Sequence, residues 1–243
     1  MTLPIQDPLK RSKETIEQLL RSWPVPTKHH LDNLSMFLGR MGIQNILLMD
    51  ALYRQILGTH GVVMEFGVRF GVNTALLVAL RGIYEPYVRS RKIVAFDTFE
   101  GFPSVDENRD GSVFKPGDLR SPEGYEVYLD RLLEALELQS PIAHLKKYEL
   151  VKGDIDVTLD QYLKANPETI VAFAYIDVDL YAPTKKCLEG ILPRMTKGGI
   201  IAFDEVNYPD CPGETLAFLE VLGSKYQLRR TPLSGSMSYV ILE

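Results

Sequence analysis

From Val62 onward, short apolar runs alternate with helical patterns, and this alternation constrains the chain more than any other feature. Strands separated by helices pair in parallel through helical crossovers, which makes an α/β sheet covered on both faces. Five strands read clearly: Val62–Phe66, Ile93–Phe96, Glu149–Lys152, Val171–Ile176 and Ile200–Phe203. The run Val171-Ala172-Phe173-Ala174-Tyr175-Ile176 has no polar alternation, as expected of a strand buried on both sides. Helical patterns fall at Thr74–Arg81, Tyr125–Leu138, Pro183–Arg194 and Glu214–Leu222, and in the second Leu129, Leu132, Leu133 and Leu136 share a face. Gln227–Arg230 and Ser238–Leu242, around Pro232 and Gly235, read as a terminal hairpin. The predicted fold is a doubly wound, mostly parallel α/β sheet with a C-terminal antiparallel hairpin.

Helical stretches precede the first strand. Ile16, Leu19, Leu20 and Trp23 recur at helical spacing over Ser12–Trp23 before Pro24 and Pro26. A second stretch runs from about Leu31 to Leu57 with Gly39 and Gly42 inside it. Residues 1–60 are therefore expected to form an N-terminal helical cap or lid, and 61–243 the main domain. Lys and Arg number 27 against 32 Asp and Glu, a net charge of −5, which argues against a surface that binds nucleic-acid phosphates. Cys187 and Cys211 give no disulfide framework and no CxxC spacing, and Cys187 shares a face with Leu188, Ile191 and Leu192 as a core residue would. The N-terminus lacks a signal-like apolar stretch, and no apolar run reaches the roughly 18–20 residues that span a bilayer. A cytoplasmic location is expected. Glu100–Gly124, rich in Gly and Pro, reads as a lid, a binding loop or a disordered segment.

The chemistry gathers at the strand ends. The first strand runs into Glu65-Phe66-Gly67-Val68-Arg69-Phe70-Gly71, then Asn73, Thr74 and a helix. Such a turn brings backbone close to a ligand and points a helix N-terminus at it. A GxGxxG dinucleotide fingerprint beginning at Gly67 fails at Arg69 and Val72, and no GxxxxGK[ST] phosphate loop occurs. The second strand ends at Asp97, where an acid can hold ribose hydroxyls or cap a helix, and the third ends at Gly153-Asp154-Ile155. The fourth ends at Asp177-Val178-Asp179 and the fifth at Asp204-Glu205. If these two strands are neighbours, four carboxylates meet, and a divalent cation relieves their repulsion. Oxygen ligands without a nearby His or Cys set favour Mg²⁺, Ca²⁺ or Mn²⁺ over zinc. Gly198-Gly199 reads as a turn, His29-His30 as a solvated helix entry, and Tyr181 and Tyr208 as either pocket-lining or packing residues.

Taken in order, VVMEFGVRFG, IVAFDTFEGFP, VKGDI, YIDVDLYAPT and GGIIAFDEVNYPDCPGET span roughly residues 62–215. This set resembles the macrocin O-methyltransferase family, S-adenosylmethionine- and Mg²⁺-dependent sugar O-methyltransferases of antibiotic and other natural-product biosynthesis. FDTFEGFP and D-x-D-L-Y are its most specific segments. The resemblance implies the seven-stranded sheet of class I methyltransferases, a homo-oligomer, and a deoxysugar acceptor that is nucleotide-linked or attached to an aglycone. It implies that Glu65, Gly67 and Gly71, with Arg69, Asn73 and Thr74, form the first cofactor turn. Asp97, with Thr98 and Phe99, would hold the ribose, and Asp154, between Gly153 and Ile155, would face the adenine. Asp177 would touch both cofactor and metal, with Asp204 and Glu205 as further metal ligands. The family commonly has Asp-Asp where this chain has Asp204-Glu205. Its base is a carboxylate or a His near the metal, and no His follows Asp177 closely, so Asp177 or Asp179 is the candidate base. Two other readings stay open: a phenol or catechol acceptor, and a non-catalytic S-adenosylmethionine-binding subunit.

Overall fold

Seven strands form one sheet in the order β3-β2-β1-β4-β5-β7-β6. The computed structural model describes residues 8–243; residues 1–7, the start of the expected cap, lie outside the described residues. Contacts divide the chain into two units, Met1–Ile46 and Leu47–Glu243. The first contains α1 (Pro8–Arg21), α2 (His30–Asn33) and the start of α3 (Arg40–Gln55). Gly39 lies in the break before α3, whereas Gly42 is inside that helix. Trp23 stacks on His30 at 4.5 Å and meets Phe37 edge-on at 4.7 Å, and His30 Nε2 is 2.7 Å from the Val25 carbonyl.

In the larger unit the order is β1 (Val62–Phe66), α4 (Val72–Tyr84), β2 (Ile93–Asp97), α5 (Glu107–Asp110), α6 (Tyr125–Glu137), β3 (Tyr148–Lys152), α7 (Ile155–Ala165), β4 (Val171–Ile176), α8 (Tyr181–Ile191), β5 (Met195–Phe203), α9 (Gly213–Val221), β6 (Arg229–Arg230) and β7 (Ser238–Ile241). β1 pairs in parallel with β2 and β4, β2 with β3, and β4 with β5; β7 runs antiparallel to both β5 and β6. Successive strand residues face opposite sides, so each strand feeds two cores. Val63, Ile93 and Phe173 pack with Leu52, Leu77 and Leu129 from α3, α4 and α6. Met64, Val94 and Ala174 pack with Leu159, Leu188 and Phe218 from α7, α8 and α9. Cys187 and Cys211 are free and buried. No helix among the described residues is long and apolar enough to cross a membrane.

The structure departs from the sequence expectation in two places. α7 is a helix that the periodicity reading left out, begun by Asp154, whose side chain accepts from the Asp156 N–H. Gly198-Gly199 is not a turn before a strand; both lie within β5. Val171 pairs with Met195 and Phe173 with Ile200, so the register shifts, and the intervening glycines sit in an irregularity where Gly198 takes φ 83°.

The sheet order places β1 beside β4, and chain order reverses at that junction, which is where open α/β sheets bind ligands. The two strand ends meet closely there: the Asp177 N–H donates to the Phe66 carbonyl at 2.9 Å, and a Cβ on Gly67 would stand 1.7 Å from the Asp177 carbonyl oxygen. Gly67 also has φ 91°. Gly67→Ala must both strain the backbone and push β1 from β4, so it is expected to destabilise by at least about 2 kcal/mol in urea unfolding. An unchanged midpoint would show that the junction yields freely.

Candidate active site

A cavity of about 670 Å³ opens at the carboxyl ends of the central strands. Of the expected site residues, Gly67, Arg69, Asn73, Asp97, Thr98, Asp154, Ile155, Asp177, Asp179, Asp204 and Glu205 line it. Glu65, Gly71, Thr74 and Phe99 do not, and Gly153 instead lines a neighbouring cavity of about 530 Å³ with Arg120 and Lys152. Tyr181 lines the main cavity and Tyr208 does not.

The glycine turn is organised by Asp97. Its Oδ2 accepts from the N–H groups of Val68 at 2.6 Å and Arg69 at 2.7 Å, and its Oδ1 from that of Phe99 at 2.5 Å. Arg69 and Phe99 are non-glycine residues in the left-handed region, with φ 49° and 57°. Behind the turn, Glu65 is buried and accepts from the Thr74 hydroxyl at 2.5 Å, so the pair ties β1 to α4. Asp154 caps α7, and the Gly153 N–H reaches the Asp97 carbonyl at 2.9 Å.

The predicted carboxylates converge beside the turn. Enclosure by protein, and then the neighbouring Asp204, push the Asp177 carboxyl well above the usual carboxylate range. Asp204 is raised by burial, while the Tyr175 hydroxyl, which donates to its Oδ1 at 3.0 Å, works against the rise. Asp179, at φ 60°, is pushed up to about 7 by burial and by Glu205 and Asp204, against the Arg69 guanidinium. Glu205 Oε2 accepts from the Cys211 thiol at 2.7 Å. Glu214 is an acid whose role the sequence reading missed. It is buried in the first turn of α9, its Oε2 accepts from the Glu205 N–H at 2.7 Å, and its Oε1 is buried without a partner. Burial raises its carboxyl well above the ordinary value.

These oxygens are the donors a hard cation prefers, and buried like charges favour its arrival. Among the described residues, no group of three or more His, Cys, Asp or Glu side chains is arranged to hold a metal ion. Asp177 and Asp204 are oxygen donors of the kind a hard cation takes, whereas the Glu205 carboxylate accepts from the Cys211 thiol.

Segment Glu100–Gly124 folds against this edge. Phe102 meets Phe114 edge-on at 5.1 Å, the Ser121 hydroxyl donates to the Arg69 carbonyl at 3.0 Å, and Asp110, only 3% exposed, accepts the Tyr181 N–H at 2.7 Å. Phe102, Phe114 and Leu119 supply apolar wall.

A family model described as a methyltransferase domain matches residues 64–206. The crystal structure of CalS11, described as a calicheamicin methyltransferase, is 44% identical, covers 97% of this chain and 93% of its own, and has a TM-score of 0.94. An apo structure of CalS11, described as a TDP-rhamnose 3'-O-methyltransferase of calicheamicin biosynthesis, is 41% identical over 97% of this chain and 95% of its own, with a TM-score of 0.86. The O-methyltransferase NovP, 19% identical over 83% of this chain and 80% of its own with a TM-score of 0.64, shares the fold. No curated protein matches the chain.

Burial pushes the Glu65 carboxyl from 4.5 to about 8. Between those values the native state holds a proton that the unfolded chain releases, so this group's contribution is complete below pH 4.5 and fades as pH rises toward 8. Glu65→Gln keeps an acceptor for Thr74 and removes the titration. Its urea midpoint is expected to gain on that of the wild type across this range; parallel profiles would show that Glu65 does not titrate there.

Proposed function

The chain belongs to this methyltransferase-domain family and is an S-adenosylmethionine-dependent O-methyltransferase, and from that premise we propose that its acceptor is a deoxysugar hydroxyl and that a hard divalent cation assists transfer. The observation that carries the acceptor is the extent of the likeness to CalS11. It covers 97% of the chain, and so takes in the acceptor-side segment 100–124 as well as the turn that any cofactor-binding relative needs.

In this reading the turn from Gly67 to Thr74 receives the cofactor, with Glu65 and Thr74 bracing it from behind. Asp97 has lone-pair capacity left beyond its three backbone donors, and this serves a ribose hydroxyl. Thr98 and Phe99 fix the loop beyond it, and Gly153, Asp154 and Ile155 border the adenine. When bound, S-adenosylmethionine supplies a methyl group already activated as a sulfonium, so the protein's task is to align a hydroxyl and remove its proton. Alignment contributes up to about 7–11 kcal/mol in favourable cases. Asp179 accepts the hydroxyl proton on a carboxylate oxygen, a role worth about 10²–10⁴-fold; Asp177 is the alternative base. The apolar wall of Phe102, Phe114 and Leu119 keeps water from the donor. A divalent cation such as Mg²⁺ at Asp177 and Asp204, with Glu205 at its margin, would lower the hydroxyl pKa. One or two carboxylates suffice for Mg²⁺, the other ligands being water and substrate.

The proposal extends to a cytoplasmic homo-oligomer. None of residues 8–46 is buried, and Leu19, Leu31, Met36 and Met41 are exposed, which supports these helices as a contact surface. Light scattering after size exclusion is expected to give more than one chain per particle; a monomer alone would reject this.

The reaction is tested with labelled methyl transfer from S-adenosylmethionine to nucleotide-linked and glycosidic deoxysugars, with Mg²⁺ and with EDTA. Label in the sugar is expected only with the metal, and Asp204→Asn is expected to lower turnover by about 100-fold or more while the cofactor still binds. Full turnover in EDTA or in the variant would remove the metal. A protein that binds cofactor and labels no sugar would remove the acceptor.

A further inference from the structure

The proposed acceptor has two forms of different charge: a sugar on a nucleoside diphosphate, and a sugar on a neutral aglycone. The cavity wall bears on which one enters. Among the described residues, nine of its lining side chains are carboxylic, and two, Arg69 and Arg109, are cations. Arg69 belongs to the glycine turn on the cofactor side. Arg109 is the cation left for the acceptor.

Its placement is built by the fold. Asp110 next to it is buried, with Oδ1 accepting from the Tyr181 N–H at 2.7 Å and Oδ2 from the Asp106 N–H at 2.8 Å. A Cβ on Gly213 would stand 2.5 Å from the same Asp110 Oδ1, so α9 packs closely behind this lock. Held this way, α5 lays the Arg109 guanidinium over the Tyr181 ring, 4.3 Å from its centroid. A guanidinium held over a ring in this way keeps N–H groups that can grip phosphate oxygens in pairs. Its ion pair with Asp106 is long, at 3.8 Å, and half exposed, so a phosphate group can displace it at small cost. A neutral glycoside has no use for this cation, whereas a diphosphate entering an acidic wall needs one.

We infer that Arg109, locked over Tyr181 through Asp110, is the specificity residue that receives the diphosphate of a nucleotide-linked sugar acceptor in preference to a neutral glycoside. The inference rests on the sugar O-methyltransferase reading above.

The test uses the full-length enzyme with thymidine-diphosphate rhamnose and methyl rhamnoside as acceptors, and thymidine diphosphate as inhibitor. The wild type is expected to prefer the nucleotide-linked acceptor. Arg109→Gln is expected to raise its KM at least about 10-fold with kcat altered less than about 3-fold, and to weaken thymidine diphosphate inhibition by the same factor. Arg109→Lys, which keeps charge without the fork, should recover only part of the loss. The dissociation constant of S-adenosylmethionine should stay within about twofold in both variants, which a general distortion of the cavity would not allow. An unchanged KM and inhibition constant in Arg109→Gln, or wild-type enzyme that uses the neutral glycoside equally well, overturns the assignment and leaves the sugar reading standing. Wild-type protein that binds the cofactor and methylates neither acceptor overturns both.

Discussion

Three backbone N–H groups from two loops end on the carboxylate of Asp97, and the geometry of the cavity follows from that convergence. Hydrogen bonds to an ionised acceptor are roughly twice as strong as neutral ones. They are needed here because two of the three donor residues, Arg69 and Phe99, stand in the left-handed region, where a side chain costs about 1–2 kcal/mol. The same line of contacts continues sideways. The Gly67 N–H reaches the Phe96 carbonyl and the Gly153 N–H reaches the Asp97 carbonyl, so backbone hydrogen bonds tie together the ends of β1, β2 and β3. Glycine at position 67 is then required for a reason beyond flexibility, since the β4 end occupies the space where its side chain would be.

Beside that ordered turn the fold gathers charge of one sign. Asp177, Asp204 and Glu214 are each driven upward chiefly by enclosure, with Asp204 adding to the rise of both Asp177 and Glu214 and Glu205 to that of Asp204. Such an edge stays neutral by holding protons or becomes neutral by holding a cation. For the proposed reaction, negative charge left at the edge favours a sulfonium over its neutral thioether product, so the field that helps the donor bind also helps the spent cofactor leave. Tyr175 moderates the field by donating to Asp204 from within the sheet, and Cys211 does so by donating to Glu205.

The strand ends were legible because burial on both faces leaves a plain apolar signature. β1 and β4 begin and end where their strong strand signals do, and the acids after β4, Asp177 and Asp179, line the cavity. α7 carried a readable helical stripe in Ile155, Leu159, Tyr162 and Leu163, but Asp154 drew attention as a ligand-facing acid when it is also the helix cap. Both roles are compatible, since one oxygen accepts from Asp156 while the residue still lines the cavity. Gly198-Gly199 misled because a glycine pair signals a turn equally well when it marks an irregularity inside a strand. Glu214 had no local signal. Its place is set by a hydrogen bond from a backbone N–H nine positions earlier, and only the tertiary path of the loop brings the two together. The segment 100–124 was readable as a loop but its order was not, because that order comes from single long-range contacts such as Asp110 to Tyr181.

That contact also explains how the two halves of the cavity can differ in what they are asked to do. The cofactor half is built from strand ends and their amides, and a substitution there propagates through the sheet. The proposed acceptor half is a segment outside the sheet, tied to the strand-end loops through Asp110 and Ser121. Asp110 donates nothing to a ligand by itself, yet it fixes the start of α8, and Asp179 lies two residues before that start. A side chain placed by the segment is therefore in register with the proposed base. In the proposed reading, residues between 100 and 120 bear on which acceptor is held, while Asp110 keeps the start of α8 in place. Specificity can then vary along the segment without disturbing the hydrogen bonds that Asp97 makes at the other end of the cavity.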